Sequence, residues 1–336
     1  LKCSSLCYCA ACTIMAARRR AAFDIGSGAT KVLIADVEGT TVTRQFLGTE
    51  VPVSFAVDWK QSRDGRLSEE IQSKGLEVLR GFLAECDSHS VPTSARQAIA
   101  TEVFRKASNG AEYLDRVRAL GLPVQVLSQE QEADVGFKTA VALQDGPAES
   151  VICWDSGGAS FQITSREASG SGTLRTYLGA LGTGVTTSIL VECIQGLSLA
   201  ENPSPNPVTM EQATALMAEL KKKIPVCPDW LKDSSTTAIG GPNSMFCVAF
   251  EALGASRYEA SDVRRVLEEN VGLSDAELMS KRFCQGELRE PPAYIIPKIC
   301  QLLAVMEHCE LKEVNFFSAI GSCPGMLISE DIFSAS

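Results

Sequence analysis

Short apolar runs bounded by glycine or polar turns alternate along the chain with longer segments of helical spacing, a pattern that predicts an α/β protein. Ala21–Ile25 and Lys31–Asp36 read as two strands around Gly26-Ser27-Gly28, a hairpin by turn chemistry. Leu67–Cys86 has helical spacing, Gln97–Thr101 reads as a short buried strand, and Glu102–Leu120 as a helix broken near Asn109-Gly110. Val124–Leu127 is a further strand and Glu130–Leu143 a further helix. Val151–Asp155 and Ala159–Thr164 then repeat the opening order of strand, glycine turn and strand, followed by a third run at Thr173–Leu178. From Gly182 onward the spacing is mostly helical. Two strand-like pieces interrupt it, Thr236–Ile239 before Gly240-Gly241-Pro242 and Glu313–Phe317 before Gly321, and Asn202–Pro207 with its prolines is an exposed loop.

One internal echo shapes the domain reading. Phe23-Asp24-Ile25-Gly26-Ser27-Gly28-Ala29-Thr30 resembles Trp154-Asp155-Ser156-Gly157-Gly158-Ala159-Ser160-Phe161, so the chain looks like a duplicated lobe. A length of 336 residues exceeds one core of ordinary size. The expected division is a lobe over 15–130 and a second over 131–336, the last helix packing back on the first. Hydrophobic residues at 45% suffice to fill two cores, and no apolar run is long enough to cross a bilayer. The formal charge of −10 argues against gathering nucleic acid through a general basic field. A polyanionic substrate would have to be held by local dipoles and a few placed cations.

Thirteen cysteines do not form a disulfide framework, because Cys3, Cys7, Cys9 and Cys12 crowd the start and the others are scattered singly. Cys9-Ala-Ala-Cys12 has no second pair at zinc-ligand spacing. Met15, just ahead of Arg18-Arg19-Arg20, reads as the true start, and a cytoplasmic protein is expected. His89 and His308 stand outside any motif, leaving carboxylates as the acid/base candidates.

An aspartate at the end of an apolar strand, followed by a glycine turn, places a carboxylate beside backbone N–H groups that can approach an anion closely. Gly26, Ser27, Gly28 and Thr30 in the first turn, and Gly157, Gly158 and Ser160 in the second, are candidate phosphate contacts. Asp24 and Asp155 suit Mg²⁺, which takes oxygen ligands and keeps several waters. Between the turns, Arg105 on the Ala100–Gly110 segment offers a guanidinium suited to phosphate. Glu130, Glu132 and Asp134 open a helix and are candidates for a base acting on water, although acids in a first turn also simply complement the helix dipole.

The order of these blocks resembles the exopolyphosphatase and guanosine pentaphosphate phosphohydrolase (Ppx/GppA) family, within the superfamily of sugar kinases, acetate kinases, actin and chaperone ATPases. The resemblance rests on Asp24–Lys31, the Thr101-to-Arg105 block, Ser128–Ala133 and Asp155–Gln162, with weaker similarity at Leu181–Thr187, Ala238–Ser244 and Gly321–Leu327. It implies two ribonuclease H-like, actin-like lobes with mixed sheets flanked by helices and a cleft between them. It further implies Glu132 as the base, Arg105 gripping the phosphate chain, Asp24 and Asp155 holding Mg²⁺ across the cleft, and Gly240 and Gly241 among the phosphate-binding residues. Polyphosphate or a phosphorylated guanine nucleotide would be the substrate.

The chain departs from the family pattern at several places. Gly28-Ala29 stands where Asn-Ser is usual, Ser160-Phe161-Gln162 where Ser-Thr-Glu is usual, Gly240-Gly241-Pro242 where Gly-Thr is usual, and Val185 near a common arginine position. Two other functions therefore stay open: an ATP-dependent kinase or ATPase of the same superfamily, and a non-catalytic phosphate or nucleotide sensor. For oligomeric state the homodimer is the default base rate.

Overall fold

In the computed structural model the described residues are 17–144, 147–158, 160–167, 172–285 and 290–334. Met15, the N-terminal cysteine cluster and Ala159 fall outside them. The first sheet comprises β1 (Arg18–Ile25), β2 (Ala29–Glu38), β3 (Thr41–Pro52), β4 (Arg96–Ala100) and β5 (Val124–Val126), in the order β3-β2-β1-β4-β5. The second comprises β6 (Ile152–Ser156), β7 (Phe161–Arg166), β8 (Leu174–Gly179), β9 (Ser235–Gly240), β10 (Arg257–Tyr258) and β11 (Glu313–Ser318), in the order β10-β11-β9-β6-β7-β8. In each, a central strand pairs antiparallel with its hairpin partner and parallel with a crossover strand: β1 with β2 and β4, β6 with β7 and β9. The sheets thus repeat one topology, with β10 as an extra edge.

The helices are α1 (Phe55–Gln61), α2 (Glu69–Ser88), α3 (Glu102–Lys106), α4 (Gly110–Arg118), α5 (Gln129–Leu143), α6 (Thr183–Ser188), α7 (Met210–Lys223), α8 (Met245–Leu253), α9 (Ala260–Asn270), α10 (Asp275–Met279), α11 (Ile295–His308), α12 (Cys323–Leu327) and α13 (Glu330–Ser334). Strand alternation sorts the first sheet's side chains onto two faces. Phe23, Ile25, Val32 and Ile34 join Leu79, Tyr113 and Leu114 of α2 and α4 in one core. Ala22, Leu33, Ala35 and Val37 face the other way and pack with Cys323, Met326 and Leu327 of α12.

Between the sheets lie α5 and α12. Val135 of α5 joins the cluster on the first sheet, whereas Phe137 and Ala140 pack with Val151, Cys153 and Ile239 of the second. The division expected at 130/131 falls in the first turn of α5. Gly325 lets α12 sit directly on α5, since a Cβ there would lie 2.2 Å from Val135 O, and its N–H donates to Thr139 Oγ1 at 2.9 Å. Arg20 fixes the chain's last helices to the first sheet, donating to Leu327 O and Glu330 Oε1, both at 2.7 Å. No helix among the described residues is long and apolar enough to cross a membrane.

Candidate active site

Both hairpin turns close in the same way. Gly26 N–H donates to Ala29 O at 3.0 Å, and Gly157 N–H donates to Ser160 O at 2.9 Å. Those two amides are spent inside their turns, so Gly26 and Gly157 do not offer the phosphate donors expected of them. Ser27 and Gly28 N–H have no backbone acceptor among the described residues. Positive φ is not used either: Gly26, Gly28, Gly157 and Gly158 all lie outside the left-handed region. What glycine supplies is space. A Cβ on Gly26 would meet Ala29 O at 3.0 Å, while Gly28 and Gly158 look onto open space.

Register then decides which side chains meet. Asp24 lies opposite Lys31, and Asp155 opposite Gln162. Lys31 Nζ is 3.5 Å from Asp24 Oδ2, which also accepts Ser322 N–H at 3.1 Å. Gly321, at φ +53°, brings the α12 loop onto this pair so closely that a Cβ would lie 2.2 Å from Asp24 Oδ2. Burial works against the Lys31 ammonium, but Asp24, Glu50 and Asp155 outweigh it and raise its pKa. Thr30, by contrast, does not reach the site through its side chain. It is one step from Lys31 and points to the opposite face, fully buried, its hydroxyl without a partner among the described residues.

The second carboxylate has no such counter-ion at hydrogen-bond range among the described residues. Burial first and then the charge of Asp24 push Asp155 up to about 6, while Lys31 and the Ser156 backbone pull the other way. Gln162 is buried and turns its amide to Ser160 Oγ at 3.3 Å.

Glu132 reaches the same space from α5, which Ser128 and Gln131 start with a reciprocal capping box. Gly136, one helical turn further on the same face, lies against Asp155, with a Cβ position 3.6 Å from Asp155 Oδ2. That places Glu132 on the face directed at the carboxylates. Burial pushes its carboxyl up to about 7; Arg105 lowers it, and Asp155 and Asp24 raise it further. Glu130 is set apart: it accepts from Ser128 Oγ at 2.8 Å, and its own backbone and that hydroxyl hold its pKa below the ordinary value. Arg105, expected to grip phosphate, instead donates to Glu132 Oε1 and Leu127 O. A phosphate would have to draw the guanidinium from that pair.

Gly240 ends β9 and Gly241 follows it, next to Ile239, which pairs with Asp155. Gly241 faces the other lobe, its Cβ position 3.1 Å from Glu50 Oε2. The turn is held from below by Lys298, which donates to Asn243 O and pairs with Glu290 at 2.5 Å, both side chains buried. Lys31, Glu50 and Gly321 were not singled out from the sequence. Lys31 could have been, since the hairpin register sets it opposite Asp24.

Among the described residues no three His, Cys, Asp or Glu side chains close around a common point, so a cation caged wholly by protein does not fit. Two carboxylates facing one space, of which Asp155 is raised by burial and by the charge of Asp24 and lacks a close cation among the described residues, do fit Mg²⁺, which binds through one or two carboxylates and retains waters.

Residues 34–175 match the model of the Ppx/GppA phosphatase family. This segment is similar to that family. It contains the Arg105, Glu132 and Asp155 blocks, and the Asp24 hairpin strand lies just ahead of it. Beyond the segment, the likeness is one of fold. The Aquifex aeolicus member of the Ppx/GppA family is similar at 22% identity and TM-score 0.72, over 95% of this chain and 99% of that one. An exopolyphosphatase from Cytophaga hutchinsonii is similar at 17% identity and TM-score 0.65, over 92% and 96%. An exopolyphosphatase-like protein matches at 15% identity and TM-score 0.71, over 93% and 97%. The two mixed sheets flanked by helices thus share the fold of these Ppx/GppA structures.

Proposed function

We propose that the protein is a Mg²⁺-dependent phosphohydrolase that releases the terminal phosphate of polyphosphate or of a guanosine pentaphosphate-like nucleotide, Glu132 being the base. The observation that carries this reading is a carboxyl pushed up to about 7, on the face of α5 that looks at Asp24 and Asp155. Such a group holds a proton well at neutral pH, as a base acting on water requires. Glu132 takes the proton as the water oxygen bonds to the terminal phosphorus, and the bridging P–O bond breaks to leave the shortened chain. A divalent cation between Asp24 and Asp155 would neutralise charge on the phosphate oxygens. Phosphoryl transfer depends on such positioning and neutralisation more than on covalent help. The exposed turn at Ser27-Gly28 and the one at Gly158-Ser160 flank the path of the chain.

The test is phosphate release from tripolyphosphate, guanosine pentaphosphate and ATP with Mg²⁺, for the natural chain and Glu132→Gln. Release should fall by about 10²–10⁴ in the variant. Undiminished release would remove Glu132 from the role, tight binding without turnover would favour a sensor, and phosphate transfer from ATP only to an added acceptor would favour a kinase.

A further inference from the structure

The cations nearest the twin turns are mostly committed. Lys31 lies against Asp24 and Arg105 is paired with Glu132. Lys298, under the Gly241 turn, is paired with Glu290. Lys60 differs: it is exposed and has no carboxylate partner among the described residues. It sits near the end of α1, a short helix whose start is tied to the first phosphate turn, Ala56 N–H donating to Ser27 O at 2.9 Å. Phe55 anchors that start in the first core, fully buried.

The other end of α1 reaches the second lobe. Gly184 N–H donates to Gly158 O at 2.9 Å, and a Cβ at Gly184 would lie 3.3 Å from that oxygen and 3.4 Å from Lys60 Nζ. The helix therefore starts at one glycine turn, and its Lys60 side chain carries an uncommitted ammonium to the other. Around it the balance is negative, with Asp24, Asp155, Glu132 and Glu50 in the cleft and −10 on the chain. An anionic chain entering there needs a cation not already neutralised by protein.

We propose that Lys60 is a substrate-binding residue, its ammonium holding a phosphate group of the phosphoanhydride chain against the Gly158 turn and so bridging the lobes over the bound substrate. This rests on the phosphohydrolase reading for the substrate's class. The contact is made to a group that does not react, so it contributes equally to ground and transition states and acts on KM.

The experiment is calorimetric titration of tripolyphosphate with Mg²⁺ into the full chain carrying Glu132→Gln, with and without Lys60→Met, together with steady-state kinetics of Lys60→Met and Lys60→Arg. Lys60→Met should weaken binding about 5–20-fold and raise KM by the same factor, with kcat within about twofold. Lys60→Arg should stay within about threefold, and raising salt to 0.5 M should shrink the difference by screening, as expected at about one Debye length. Equal dissociation constants with and without Lys60, or a loss in kcat at constant KM, would overturn the assignment. Should the natural chain release no phosphate from any of the three substrates, the hydrolase reading fails, while the titration still decides Lys60.

Discussion

The two hairpins share a fold, a turn and a register, and differ in what stands across from the aspartate. In the first, Asp24 faces Lys31 and a loop N–H from Ser322. In the second, Asp155 faces Gln162, whose amide is turned to Ser160. The first carboxylate thus carries its own neutralising partners, and the second is left to be neutralised by something that arrives. A duplicated element has been divided into a fixed half and a responsive half. The packing follows suit: a Cβ at Gly321 would strike Asp24 Oδ2 at 2.2 Å, whereas one at Gly136 would meet Asp155 Oδ2 at an ordinary 3.6 Å.

The largest effect should come from removing each charge in turn. Asp155→Asn is expected to reduce phosphate release by about 100-fold or more and to raise the Mg²⁺ concentration for half-activity, while leaving the apo fold as stable as before or more so. Asp24→Asn should lose activity too, but it also strands a largely buried Lys31 and should cost about 3 kcal/mol of stability, read from urea unfolding. If both variants unfold at the same urea concentration, the division between the halves is wrong.

Gly321→Ala tests the tightness of the first half alone. An alanine there has a left-handed backbone at φ +53° and overlaps Asp24, for a combined cost of about 2–4 kcal/mol in the same unfolding measurement. A loss under about 1 kcal/mol would mean that the loop yields easily and that the Ser322 N–H does little to hold Asp24.

The same contrast explains how much could be read from the sequence. Both hairpins were legible because apolar runs stop at glycine turns, and the duplication followed from comparing them. That Asp24, Asp155 and Glu132 meet about one cleft was an expectation carried by the family resemblance, since periodicity alone does not say how the two lobes face each other. In the first lobe two elements escaped. The twelve residues of β3 alternate poorly, most being exposed or half-buried, and α1 has only seven residues, too few for a periodic signal. Glu50 and Lys60 lie on those elements, so they were hidden along with them. Thr30 was misplaced for a different reason: proximity to a motif says nothing of which face of a strand a side chain takes, and its neighbour Lys31 holds the useful one.

The smallest expected effect is thermodynamic, and its sign separates the two halves most cleanly. Asp155 and Glu132 have folded pKa values of about 6 and about 7, above their ordinary values of 3.8 and 4.5. A carboxyl raised by folding binds more protons in the native than in the unfolded state between those limits, so it favours folding at low pH and loses that contribution as pH rises through the folded pKa. Between pH 6 and pH 8 the cation-free protein should therefore lose about 1–2 kcal/mol, seen as a falling Tm. Mg²⁺ at pH 8 should recover most of it, because a ligand that binds only the native state stabilises it by mass action. Glu132→Gln should flatten the slope, since the amide has no charge to bury. A Tm that rises from pH 6 to pH 8 without the cation would mean that Asp155 already has its counter-ion within the protein, and the asymmetry between the hairpins would vanish.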